Sequence, residues 1–222
     1  RSTLFPYTTL FRSASFNNKE LSFESSMNLA TPQNYRLGPG DDVNIDISGA
    51  SQESISETIS PDGYVTVEDF GLIQLGGLTV SQAKAKLKNV LGPRYQDSHI
   101  ELTVGQTRTI TISVIGEVKT PGTFTMSAFA TVYNALYMAG GPNEIGTLRN
   151  VKVYRNGKLL SNVDVYDFLL NGKLTGDVRL QDNDIVTVGP YEGLVNIAGK
   201  IKRPMFYEMK KTESAATLLR YA

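Results

Sequence analysis

The 222-residue sequence predicts an α+β fold built from successive small modules. Three observations point there. Apolar residues alternate with polar ones over short stretches, as half-buried strands require. Two other segments place apolar residues at helical spacing. One strand–turn–strand–helix pattern also occurs twice, at a constant offset of 83 residues (Gly116 to Gly199).

Regular periodicity starts at Tyr35, after an extended polar lead-in over 14–34. Gly38-Pro39-Gly40 forces a turn, because proline fixes φ and glycine permits positive values. Val43, Ile45 and Ile47 then alternate with Asn44, Asp46 and Ser48, and a second strand is expected near Glu57–Ser60. Pro61-Asp62-Gly63 suits a tight turn before Val65 and Val67. Thr79 can cap a helix, with Gln82 completing a capping box. Val80, Ala83, Leu87, Val90 and Leu91 are expected on its inner face, Lys84, Lys86 and Lys88 outside, and Gly92-Pro93 at its end. Ile100, Leu102 and Val104 predict one strand, and Ile110, Ile112 and Val114 another. A short helix follows Thr131, with Val132, Ala135, Leu136 and Ala139 inward and Gly140-Gly141 stopping it. Val151 and Val153 lead into Asn156-Gly157, the preferred two-residue hairpin turn. Asp182-Asn183-Asp184 turns the chain before Ile185, Val186 and Val188.

The repeat matches Val114–Pro121 to Ile197–Pro204. At the same offset Phe124 meets Tyr207, Met126 meets Met209, Leu136 meets Leu219 and Ala139 meets Ala222. The first copy continues into Gly140-Gly141, so the second is expected to be cut inside a repeat. About 30 residues bury too little surface to stand alone. The segment is expected to fray or to lean on its neighbour.

Composition limits the function classes. Apolar residues at 41% and charged residues at 20% are globular values and exclude a disordered or collagen-like chain. No cysteine is present, which excludes disulfides, thiolate zinc sites and cysteine nucleophiles. A formal charge of zero argues against nucleic acid as a partner. No run approaches the ~20 apolar residues of a membrane-spanning helix. Residues 195–222 are locally basic, with Lys200, Lys202, Arg203, Lys210, Lys211 and Arg220 against Glu208 and Glu213. They read as a contact for an acidic polymer or membrane, or as a solvated edge. Thr3–Ser13 reads TLFPYTTLFRS and resembles a translated sequencing adapter, so residues 1–13 are set aside as an artefact. A native strand-forming arm is the competing reading.

No enzyme constellation emerges. His99, the single histidine, alternates with Ile100 and Leu102 and should face outward beside Glu101. Its neighbour Ser98 points to the opposite face, which argues against a catalytic triad. Paired acids at Asp41-Asp42, Glu68-Asp69 and Asp182/Asp184 could serve glycoside hydrolysis across a cleft. All three fall at predicted turns or strand ends, where acids satisfy local amides. The acids around Asp182 lack the spacing and terminal glutamate of a calcium loop. The Gly-Lys pairs at 157, 172 and 199 are followed by Leu or Ile, so none is a phosphate loop. Tyr133, Tyr137 and Tyr154 read as packing residues first and sugar-stacking residues second. No catalytic, metal, cofactor-binding or polysaccharide-contacting residue is assigned.

Tyr35–Asp42 (YRLGPGDD), Ser60–Gly63, Phe70–Ile73 and Gly77–Thr79 resemble the N-terminal domain of outer-membrane polysaccharide export proteins. Gly116–Gly122 (GEVKTPG), Ala139–Gly141, Tyr154–Gly157 and Leu180–Val186 (LQDNDIV) resemble the soluble-ligand-binding β-grasp (SLBB) domain that follows it. Asn196–Ala222 is similar to the start of a second copy. Phe16–Lys19 and Ala30–Asn34 are similar to Bacteroidetes-type capsule export proteins. The resemblance implies a mixed-sheet export domain over 35–107, a β-grasp domain over 108–192 and a partial second β-grasp domain over 193–222. Two departures stand out. Asn183-Asp184 replaces the usual Gly-Asp, and Pro204-Met205 stands where the first copy has Pro121-Gly122, so that turn is expected to differ. The resemblance further implies a non-catalytic, cofactor-free ring in the periplasm and outer membrane of a Gram-negative bacterium, passing capsular or exopolysaccharide. Its implied partners are copies of itself, the polysaccharide, an inner-membrane chain-length-regulating tyrosine kinase, and the outer membrane through parts absent from this sequence. A β-grasp module for a small soluble ligand is the alternative.

Overall fold

A computed structural model describes residues 32–222; the readings made for 1–13 and 14–31 lie outside them. The strands are β1 (Asp42–Gly49), β2 (Glu53–Thr58), β3 (Tyr64–Val67), β4 (Gly71–Gln74), β5 (Ser98–Val104), β6 (Thr109–Gly116), β7 (Gly122–Ser127), β8 (Gly146–Arg155), β9 (Lys158–Val163), β10 (Ile185–Pro190), β11 (Leu194–Ile197) and β12 (Met205–Glu208). The helices are α1 (Val80–Leu91), α2 (Val132–Met138), α3 (Val165–Asn171) and α4 (Ala215–Tyr221). Helices and sheets are both present, in an α+β fold. The described chain forms two compact units. One ends at Thr109 and takes in Ser127–Phe129; the other comprises Ile110–Met126 and Ala130–Ala222.

The first unit holds an antiparallel sheet in the order β2-β1-β5, the hairpin β3-β4, and α1. Alternation buries Val43, Ile45 and Ile47 of β1 with Ile100 and Leu102 of β5. The outer face is polar, and Thr58, Ser56 and Ser54 donate hydroxyls to Asp42, Asn44 and Asp46 across the β1–β2 pairing. The second strand lies earlier than expected: Ile55 pairs with Ile45, and the turn begins at Ser60, whose carbonyl accepts from Gly63 N. The capping box on α1 forms: Gln82 N donates to Thr79 Oγ1 at 3.2 Å and Thr79 N to Gln82 Oε1 at 3.0 Å. Val80, Ala83, Leu87 and Leu91 are buried, but Val90 is exposed, since an apolar stripe one residue wider than the contact leaves its edge in water.

The second unit centres on a five-stranded sheet ordered β7-β6-β10-β8-β9. The mixed pairing lies here: β10 runs parallel to β6 and antiparallel to β8. Val114, Val186, Val188, Val151 and Val153 are buried together with Val132, Ala135 and Leu136 of α2. Ile185 is exposed and belongs to the other face. Asn156 and Gly157 take positive φ of 51° and 72°, as the β8–β9 hairpin requires. The helix α3 was not read from the sequence; Asp164 caps it through Tyr166 N.

The repeat has matching geometry. Moved by 83 residues, α2 falls on α4, and Gly122, the first residue of β7, on Met205, the first of β12. Gly122 has no positive φ, so Met205 replaces it without strain, and the different turn expected from Pro204-Met205 does not arise from this residue. One position departs: Leu136 is buried, whereas its match Leu219 is 59% exposed and Leu218 takes the buried place.

Candidate functional site

The polar centre of the second unit is Arg149. Strand alternation sets it on the face of Val151 and Val153, so a guanidinium enters the core with only 7% of its side chain exposed. Every nitrogen is engaged. Nε and Nη2 donate to Asp164, Nη1 and Nη2 to Glu213 at 2.9 and 2.8 Å, and Nη1 also to the Glu208 carbonyl at 3.1 Å. Tyr166 and Tyr221 rings flank it, with centroids 4.4 and 5.7 Å away. Burial opposes its charge, but Glu213 and Asp164 outweigh burial and hold the guanidinium ionised. Burial likewise raises the Glu213 carboxyl, yet the Arg149, Lys210 amide and Tyr221 hydrogen bonds more than reverse this, and its net pKa is lowered.

This cluster fastens the second β-strand pair to the five-stranded sheet. Glu208 on β12 is buried, and its carboxylate accepts from Leu148 N at 3.0 Å and from the Thr147 hydroxyl at 2.8 Å. Glu208 N in turn donates to the Tyr166 hydroxyl at 2.8 Å. Lys210 Nζ donates to Asp164 at 2.6 Å. The segment after Leu194 therefore leans on the first copy rather than fraying. Beside the cluster lies a cleft of about 210 Å³, with Asn150, Asn162, Pro190, Glu192, Met209 and Lys210 in its walls.

Residues singled out from the sequence fall elsewhere. His99 is exposed and lies 3.3 Å from Glu101. Glu101 also pairs with Lys84, whose hydrogen bond lowers its pKa. Ser98 accepts from Ser51 N at 3.1 Å, so serine and histidine have separate partners. Asp69, at φ 64°, pairs with the exposed Arg94. Asp182 accepts from Thr111 N at 2.7 Å. Asp41 and Asp184 do satisfy turn amides, but both are fully buried and each also holds an arginine. No group of three or more potential metal ligands occurs among the described residues.

Tyr133 packs against Phe168, with ring centroids 5.1 Å apart, and its hydroxyl is buried without a partner among the described residues. Burial, then Asp177, raises its pKa. Asp177 itself is raised by burial, although it accepts from Tyr133 N at 3.1 Å and so caps α2. Tyr133 is thus a packing residue.

The Arg149 cluster and its cleft were not anticipated. The available signal was a charged residue at an inward strand position.

The geometry defines a class: an α+β unit followed by a β-grasp-like unit onto which a second strand pair and helix are docked, without a catalytic constellation among the described residues. Comparison with known families agrees. Residues 29–105 match the polysaccharide biosynthesis/export protein family and residues 111–188 match the SLBB domain. The chain belongs to the polysaccharide export proteins that carry an export domain followed by an SLBB domain. It is 27% identical over 198 residues to the polysialic acid transport protein KpsD of Escherichia coli, covering 88% of this chain and 35% of that protein. It is 29% identical over 149 residues to the EPS I polysaccharide export outer membrane protein EpsA of Ralstonia solanacearum, covering 66% of this chain and 39% of that protein. The chain thus spans little more than a third of these relatives. No helix among the described residues is long and apolar enough to cross a membrane.

Proposed function

We propose that this chain is a non-catalytic part of a ring or channel that passes capsular or exopolysaccharide through the periplasm and outer membrane of a Gram-negative bacterium. The observation that carries this reading is the export domain followed by SLBB, with further β-grasp elements clamped onto that domain through Arg149. Such clamping suits successive modules stacked as stiff segments of a conduit. Its domains are proposed to run over 35–107, 108–192 and 193–222. Its partners are copies of itself, the polysaccharide, and an inner-membrane chain-length-regulating tyrosine kinase. The relatives' names describe polysialic acid transport and polysaccharide export at the outer membrane, in line with this placement.

The test is deletion of the complete gene, with cytoplasmic synthesis and surface polysaccharide measured separately. Retained synthesis with a lost surface coat supports the proposal. An unchanged coat, or a complete protein that stays monomeric in native mass spectrometry, refutes it.

A further inference from the structure

We propose that the cleft beside Arg149 binds one neutral sugar residue of the passing polysaccharide, an inference that rests on the export reading above. The cleft lies within the second unit. It is lined by Asn150 of β8, Asn162 of β9, and Met209 and Lys210 just after β12. Its volume of about 210 Å³ suits one sugar ring and falls below the ~300 Å³ at which pockets for larger ligands begin.

The polar groups have capacity to spare. Among the described residues the Asn150 and Asn162 amides make no side-chain hydrogen bond. Each presents a donor and an acceptor on one plane, which matches a vicinal pair of hydroxyls. Glu192 accepts from Lys211 N through Oε2, which leaves Oε1 open. Lys210 gives one proton to Asp164 and keeps two. Pro190 and Met209 supply the apolar contact that the C–H face of a sugar needs.

Charge decides between neutral and acidic sugars. Arg149 is saturated by Asp164, Glu213 and the Glu208 carbonyl and has no donor left. Lys210 shares Asp164, while Glu192 and Glu208 contribute carboxylates to the walls. No uncompensated cation remains to favour a uronate.

The experiment titrates the 222-residue chain with methyl glycosides of neutral hexoses and N-acetylhexosamines, and with the corresponding uronates, followed by ¹H–¹⁵N correlation spectra. Saturable shifts are expected at Thr147–Asn150, Asn162, Glu192 and Met209–Lys210 with at least one neutral sugar, at affinities on the order of millimolar. Asn150→Ala with Asn162→Ala should weaken binding about tenfold, as two lost neutral hydrogen bonds imply. Both side chains are solvent-exposed, so the fold should survive, and Glu192→Gln provides an independent second variant. Asn171→Ala, outside the cleft, should change nothing. The proposal is overturned if no sugar gives saturable shifts there, if the double variant binds as well as the parent, or if a uronate binds tenfold more tightly than its neutral counterpart. An empty titration removes the cleft and leaves the conduit standing, because surface polysaccharide in the deletion strain decides that reading separately.

Discussion

Asp41 and Asp184 occupy the same local structure in two different units. Each follows a residue of positive φ, Gly40 at 86° and Asn183 at 65°. Each accepts the amide three residues back, from Gly38 and from Gln181, at 2.8 Å. Each donates its own amide to that residue's carbonyl at 3.1 Å. Each buried carboxylate then takes an arginine: Arg108 at 2.9 Å for Asp41 and Arg155 at 2.7 Å for Asp184. The Asp184 hydrogen bond, the largest influence on Arg155, raises the pKa of that guanidinium. The turn forms with Asn183 at that position because asparagine tolerates left-handed φ.

Asp41→Ala should cost about 2–4 kcal/mol, because the Gly38 amide, the Tyr35 hydroxyl and Arg108 would all lose their acceptor. Asp184→Ala should cost a similar amount through Gln181 and Arg155. Urea unfolding of each variant measures this, and a loss below about 0.5 kcal/mol would show that water replaces the carboxylate at little cost.

Glu213→Gln should weaken the attachment of β11, β12 and α4 by about 1–3 kcal/mol, since Arg149 keeps Asp164 but loses a charged partner. Hydrogen exchange should speed up in Met205–Glu208 and Ala215–Tyr221 while β6 and β10 stay protected. Uniform loss of protection across the unit would argue against a local clamp.

Acid should release the same segment. The folded Glu213 pKa lies below its ordinary value of 4.5, so below that pH the unfolded state binds more protons. The stabilisation is complete above pH 4.5 and lost as pH falls through the lowered value. Exchange in α4 measured against pH should show this loss, and Glu213→Gln should remove this contribution to it.

The two repeat glycines should respond unequally to alanine. At Gly116, φ 89°, an added Cβ would lie 2.2 Å from the Val188 carbonyl oxygen, so Gly116→Ala must shift the backbone between β6 and β10. At Gly199, φ 114°, nothing lies within 4 Å, which leaves only the strain of the φ itself, about 1–3 kcal/mol. Thermal unfolding of the pair should place Gly116→Ala clearly lower; equal midpoints would mean that β6 and β10 separate freely.

The sequence by itself determined whatever depends on neighbours along the chain. The Thr79–Gln82 box, the Asn156-Gly157 turn, the alternation of β1, β5 and β6 and the 83-residue repeat could all be read, because caps, turns and periodicity are set within a few residues. Tertiary structure decided what depends on residues far apart. Asp41 and Asp184 looked like ordinary turn acids until Arg108, 67 residues away, and Arg155, 29 away, were brought to them. Arg149 gained its role only when the fold carried Glu213, 64 residues on, to its guanidinium and Asn150 to the cleft beside Lys210. A buried charge needs compensation wherever the chain can supply it, and which residue supplies it is fixed by packing rather than by sequence spacing.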